Sequence, residues 1–120
     1  MLRQAGALAV ANDVSAWEAQ FNGRIVEVEV YLKSTGTTSG STTVDVKKNG
    51  VSILAAALSI AFNAATKRTR SKAFAAAAAQ GEPSGVRFAA GDYIQADVTA
   101  IPGVASSDLA VYLHVAPDDV

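Results

Sequence analysis

The sequence predicts an all-β domain, an antiparallel sandwich or barrel with at most one short helix, on three observations. Apolar and polar residues alternate with a period of two in several separate runs. The runs are rich in valine, isoleucine and leucine, which suit a pleated surface with one buried face. Clusters of Gly, Ser, Pro, Asn and Asp separate them, as turns separate short strands.

The elements follow in chain order. Ala5 to Ala11 is expected to be a strand with Leu8 and Val10 inward, closed by Asn12-Asp13 as a turn signal. Trp17 and Phe21 then serve as apolar anchors. The clearest segment is Arg24 to Lys33, RIVEVEVYLK. Val26, Val28, Val30 and Leu32 alternate there with Glu27, Glu29, Tyr31 and Lys33; a helix would scatter both sets around its axis. Ser34 to Ser41 is small and hydroxyl-rich and reads as an exposed loop. Thr42 to Lys48 alternates again, with Val44 and Val46 opposite Asp45 and Lys47. Asn49-Gly50 then joins it to Val51-Ser52-Ile53-Leu54. Both residues tolerate positive φ, so a hairpin follows, through a type I′ turn or a type I turn with a G1 bulge.

Residues 55–80 pull two ways. Alanine favours helix, but strands flank the segment on both sides. Residues 55–62 read as the end of the hairpin strand or a short helical turn. Residues 66–78 read as a strand, with a helix at 73–79 as the rival. After the Gly81–Gly85 turn cluster comes a short strand at 86–88 and a tight turn at Ala89-Ala90-Gly91-Asp92. Ile94, Ala96, Val98 and Ala100 then alternate with Tyr93, Gln95, Asp97 and Thr99. Leu109, Val111, Leu113 and Val115 alternate with Tyr112 and His114 in the last strand.

Composition narrows the chemistry. The 120 residues fit one domain, with 1–20 expected as an N-terminal arm or first strand and 21–120 as the sandwich. There is no cysteine, which excludes disulfides, thiolate metal sites and cysteine nucleophiles. The net charge of −1 argues against a dedicated nucleic-acid binder, which needs a basic excess to displace counterions. No run approaches a membrane span, and the N-terminus lacks a convincing secretory h-region.

No catalytic constellation emerges, so no enzymatic activity, cofactor or metal is expected. The single histidine, His114, falls on an outward position without nucleophile or orienting group. Zinc would require more His or Cys ligands, and the aspartates match no calcium-loop spacing. Glu27 and Glu29 share a strand face about 7 Å apart, a separation that can serve a glycosidase. Strand alternation alone produces that pair, and a charged outer face is the simpler reading. Lys67, Arg68, Arg70 and Lys72 form a basic cluster. On a strand, Arg68, Arg70 and Lys72 would share a face as a solvated or intersubunit stripe. Tyr31, Tyr93 and Tyr112 fall on outward positions, where aromatics can stack on sugars.

FNGRIVEVEVYLKSTGTTSGSTTVDVKKNGVSI (Phe21 to Ile53), followed by FAAGDYIQADV (Phe88 to Val98), resembles a module of tailed-bacteriophage virion proteins. The Gly23-Arg24-Ile25-Val26 strand start, the Gly36–Thr42 loop, the Val44–Gly50 hairpin and the Ala90-Gly91-Asp92 turn carry the likeness, which spans residues 21–115. The resemblance implies a jelly-roll-like β-sandwich that assembles as an oligomer, expected here as a homotrimer. Such modules occur in head fibres, tail fibres and capsid decoration (cement) proteins. The chain shows no stalk, so the resemblance implies a decoration protein on the capsid surface of the virion. Its partners would be itself and the major capsid protein, with no nucleic acid and no membrane. Leu8, Val10, Trp17, Lys67, Arg68, Arg70 and Lys72 are then the candidate capsid or intersubunit contacts. In the alternative, a carbohydrate-binding fibre module, Tyr31, Tyr93 and Tyr112 are the candidate glycan contacts.

Overall fold

The computed structural model describes residues 2–8, 11–36, 40–63, 66–75, 85–101, 103 and 107–117. The strands are β1 (Leu2–Ala7), β2 (Ala11–Glu18), β3 (Gly23–Ser34), β4 (Ser41–Lys48), β5 (Val51–Ser52), β6 (Leu58–Ala61), β7 (Arg68–Ser71), β8 (Val86–Phe88), β9 (Tyr93–Ala100) and β10 (Ser107–Pro117). No helix occurs among the described residues.

All pairings are antiparallel and build two sheets. Sheet A runs β1-β10-β3-β7, with β8 lying beside β3 beyond β7. Sheet B runs β2-β9-β4-β5, with β6 beside β4 beyond β5. The pairing nests inward along the chain: β1 with β10, β2 with β9, β3 with β7 and β8, and β4 with β5 and β6. That nesting across two packed sheets is the jelly-roll plan of a β-sandwich.

The core lies between the sheets. Ile25, Val28, Val30, Leu32, Leu109, Val111 and Val86 come from sheet A, and Val44, Val46, Ile60, Ile94, Ala96 and Val98 from sheet B. Apolar burial of this kind is the main term opposing chain entropy. Trp17, Phe21 and Phe88 close one end, with ring centroids 5.5–5.9 Å apart in tilted or edge-on arrangements.

Four departures from the sequence reading have physical causes. The first is in β3, where Ile25 rather than Val26 is buried. The register with β10 steps from Glu27↔His114 to Ile25↔Val115, so Val26 is the extra residue of a β-bulge and the inward phase shifts by one. The second is Asn12-Asp13, which is no turn but part of β2. Pairing passes from Ala11↔Val98 to Ser15↔Ala96, and a bulge absorbs the surplus. The third is the alanine-rich stretch after the hairpin. Strand β5 leaves β4 after Ser52, and β6 returns to the same neighbour at Leu58.

The fourth concerns residues 66–78, where β7 ends at Ser71. The next segment meets the hairpin excursion: Leu54 bridges Phe74, Ala55 N–H donates to Ala73 O at 3.0 Å, and Ala75 N–H to Ile53 O at 2.8 Å. These backbone bonds clip the open edge of sheet B to that of sheet A. They also satisfy main-chain groups that neither sheet reaches. The rival helix at 73–79 is absent over 73–75, and its remaining residues lie outside the described set.

The hairpin turn resolves as type I′. Asn49 has φ 51°, Gly50 has φ 85°, and Lys48 faces Val51 across the two-residue loop.

Candidate functional site

The outer face of sheet A concentrates the polar side chains. Beyond the bulge, β3 turns Glu27, Glu29 and Tyr31 outward, and β10 sets His114, Tyr112 and Ala110 beside them in register. On the other flank β7 pairs Arg70 with Glu29 and Arg68 with Tyr31. Thr69 and Ser71 turn the opposite way, so Arg68, Arg70 and Lys72 form one exposed stripe.

The arginine ion pairs on this face are diagonal rather than directly across. Arg68 lies 3.8 Å from Glu29, and Arg70 lies 3.9 Å from Glu27. Glu27 also meets Lys72 at 3.8 Å and His114 Nε2 at 3.7 Å. The cations are well exposed while the carboxylates are largely covered. The acids that resembled a glycosidase pair are therefore bracketed by cations. Between the stripes, Glu29, Tyr31, Arg68 and Tyr112 line a shallow groove of about 300 Å³.

The outer face of sheet B has a different character. Asp45 stands directly across from Asp97, a like-charge pairing that costs stability unless neighbours compensate. Lys47 Nζ lies 2.8 Å from Asp97 Oδ2, and Gln95 donates to Asp97 Oδ1 at 2.9 Å. Asp45 accepts from the Ser52 hydroxyl and, at 3.0 Å, from the Val46 N–H. Asp97, though on an outward position, is fully buried. Its carboxylate holds the Lys47 ammonium, whose pKa rises above 10.5, chiefly through their hydrogen bond and then through Coulombic attraction.

A second groove, at the hairpin end, is lined by Asn22, Lys48, Arg87, Phe88, Ala89 and Asp92. Its polar groups serve the fold. Asp92 accepts from the Ala89 N–H at 2.8 Å and from Asn49 Nδ2 at 3.1 Å. Tyr93 N–H donates to Asn49 Oδ1 at 2.9 Å, and Lys48 Nζ to Arg87 O at 2.8 Å. The first two bonds stabilise the ionised carboxylate and lower the Asp92 pKa.

The residues singled out from the sequence fall in different places. Leu8 is buried in the core, and Trp17 packs half-buried against Phe21 and Phe88. Their segment forms β1 and β2, paired to β10 and β9. Val10 lies outside the described residues. Lys67, just ahead of β7, donates from Nζ to Lys33 O at 3.2 Å. Tyr31 and Tyr112 share the groove of sheet A; Tyr93, also exposed, begins β9 in sheet B. The buried Asp97 was not anticipated, since strand alternation marks it only as outward.

Among the described residues no group of three or more His, Asp or Glu side chains is placed to hold a metal ion. The fold and these faces define the class: an antiparallel jelly-roll β-sandwich with a polar, tyrosine-bearing sheet surface. Comparison with protein-family models, curated proteins and solved structures finds no match to the chain.

Proposed function

We propose that this protein is a non-enzymatic structural component of a phage virion, a capsid decoration protein that binds the assembled major-capsid shell and stabilises it. The observation that supports attachment is the outer face of sheet A. There Arg68, Arg70 and Lys72 project beside exposed Tyr31 and Tyr112 from a two-sheet scaffold. Arginine and tyrosine are among the residues enriched at the energetic centres of interfaces. A ligand specific to the assembled shell stabilises that state by mass action. The phage assignment and the homotrimer rest on the resemblance of Phe21–Ile53 and Phe88–Val98 to virion modules. Immunogold labelling of virions tests the reading: label over the head supports it, and label confined to the tail or absent overturns it.

A second reading is a carbohydrate-binding module of a head or tail fibre. One observation favours it: Tyr31 and Tyr112, far apart in sequence, line one groove together with Glu29 and Arg68. Two aromatic faces with a carboxylate and a guanidinium supply stacking surface and hydrogen-bonding groups of the kind sugar recognition uses.

A further inference from the structure

Charge is divided between the two outer faces, and the groove lies in the basic one. On sheet A, Arg24 stands opposite Arg87, Glu29 opposite Arg70 and Tyr31 opposite Arg68. Lys33 follows two residues after Tyr31, and Lys72 reaches the same face through Glu27. Against these cations the described part of the face sets Glu27, Glu29 and, across from Lys33, Asp108, so the cations remain in excess. On sheet B, Asp45 and Asp97 share their face with Lys47. A net charge of −1 therefore hides a separation of sign across the sandwich. Such a separation orients and recruits charged partners independently of the total.

We infer that the groove of Tyr31, Tyr112, Glu29 and Arg68 is a subsite for an anionic polysaccharide, one bearing carboxylate or sulfate groups. This rests on the carbohydrate-binding reading and specifies its ligand. The tyrosine rings offer flat apolar faces to the C–H side of a sugar ring. The Glu29 carboxylate accepts from sugar hydroxyls. Arg68 stands 3.8 Å from Glu29, beyond hydrogen-bond reach, and its exposed guanidinium can fork onto an acidic substituent. Arg70 and Lys72 continue the cationic stripe along β7, where neighbouring acidic sugars of the same polymer would lie. A nucleic acid fits less well, because its phosphates would run over Glu27 and Glu29 and the chain has no basic excess.

Affinity electrophoresis of the whole protein tests the inference. The probes are alginate and heparin as acidic polysaccharides, dextran and mannan as neutral ones, and duplex DNA. The expected result is retardation by an acidic polysaccharide and not by dextran or mannan, weakening as salt rises. Tyr112→Ala and Arg68→Ala should each weaken it about fivefold or more, and Arg68→Lys less. Tyr93→Ala, on the other sheet, should leave it unchanged. The three side chains substituted, Tyr112, Arg68 and Tyr93, are exposed, so unchanged circular dichroism melts are expected for the variants. Equal retardation by dextran or mannan would leave the carbohydrate reading standing and overturn the anionic assignment. No retardation by any polysaccharide would overturn both. Equal retardation by DNA, insensitive to Tyr112→Ala, would show polyanion attraction alone and overturn the subsite.

Discussion

Asp92 is the place where the fold can be tested with one atom change. Its carboxylate bridges the Ala89 N–H at 2.8 Å and the Asn49 amide at 3.1 Å. It thereby ties the turn before β9 to the hairpin between β4 and β5. A hydrogen bond to a charged group contributes about 1.5–3 kcal/mol when well shielded. Asp92 is only half-buried, and water replaces part of what is lost. Asp92→Ala should therefore cost about 1–2 kcal/mol in total. For a domain of this size that lowers Tm by roughly 4–8 °C. The pH dependence has a definite sign. The folded-state pKa lies below the usual 3.8, so the folded state favours the ionised form. The contribution is complete above that usual value and drains away as pH falls through it towards the lower folded value. Urea titrations of wild type, Asp92→Asn and Asp92→Ala between about pH 7 and about pH 2.5 measure both effects. Wild type should lose its advantage over both variants at the acid end, with m unchanged. Midpoints for Asp92→Ala equal to wild type near pH 7, or a difference that persists undiminished to the lowest pH, would refute the reasoning.

Three further outcomes are expected. Gly85→Ala should destabilise by about 2–4 kcal/mol, because φ there is +136° and a Cβ would overlap the backbone carbonyl of Ile25; denaturant midpoints read it directly. Lys47→Met should lower Tm by leaving the buried Asp97 carboxylate beside Asp45 without its cation. In wild type the same pair loses its contribution as pH rises through the Lys47 pKa, above 10.5, so an alkaline melting series that is flat only in Lys47→Met would agree. Glu27→Gln should cost about 0.5–1 kcal/mol at low ionic strength, since its partners are exposed, and the cost should shrink in high salt. A salt-independent difference would show that the Arg70, Lys72 and His114 contacts contribute nothing electrostatic.

The sandwich class was legible because alternation is a local property. Val44 and Val46, Ile94 and Val98, and Leu109 and Val111 all face the core as their spacing dictates. Asn49-Gly50 announced its own turn, since few residue pairs accept positive φ twice in succession. The stripe of Arg68, Arg70 and Lys72 was equally local. The groove was not, because Tyr31 and Tyr112 become neighbours only through the β3–β10 register, and Arg68 only through β3–β7.

The sequence by itself determined which residues of most strands face inward, because a period of two requires no knowledge of the partner strand. Tertiary structure alone decided where that period breaks. Val26 leaves the core because β10 offers one residue against two. The split between β5 and β6, and the early end of β7, arise because the chain past the Ile53 N–H, which still donates to Val46 O of β4, bonds with residues 73–75 instead of its sheet. Asp97 sits on an outward position yet is buried, since its neighbours cover it and Lys47 neutralises it. Each of these depends on residues distant in sequence, and pairing over such distances is invisible to local pattern.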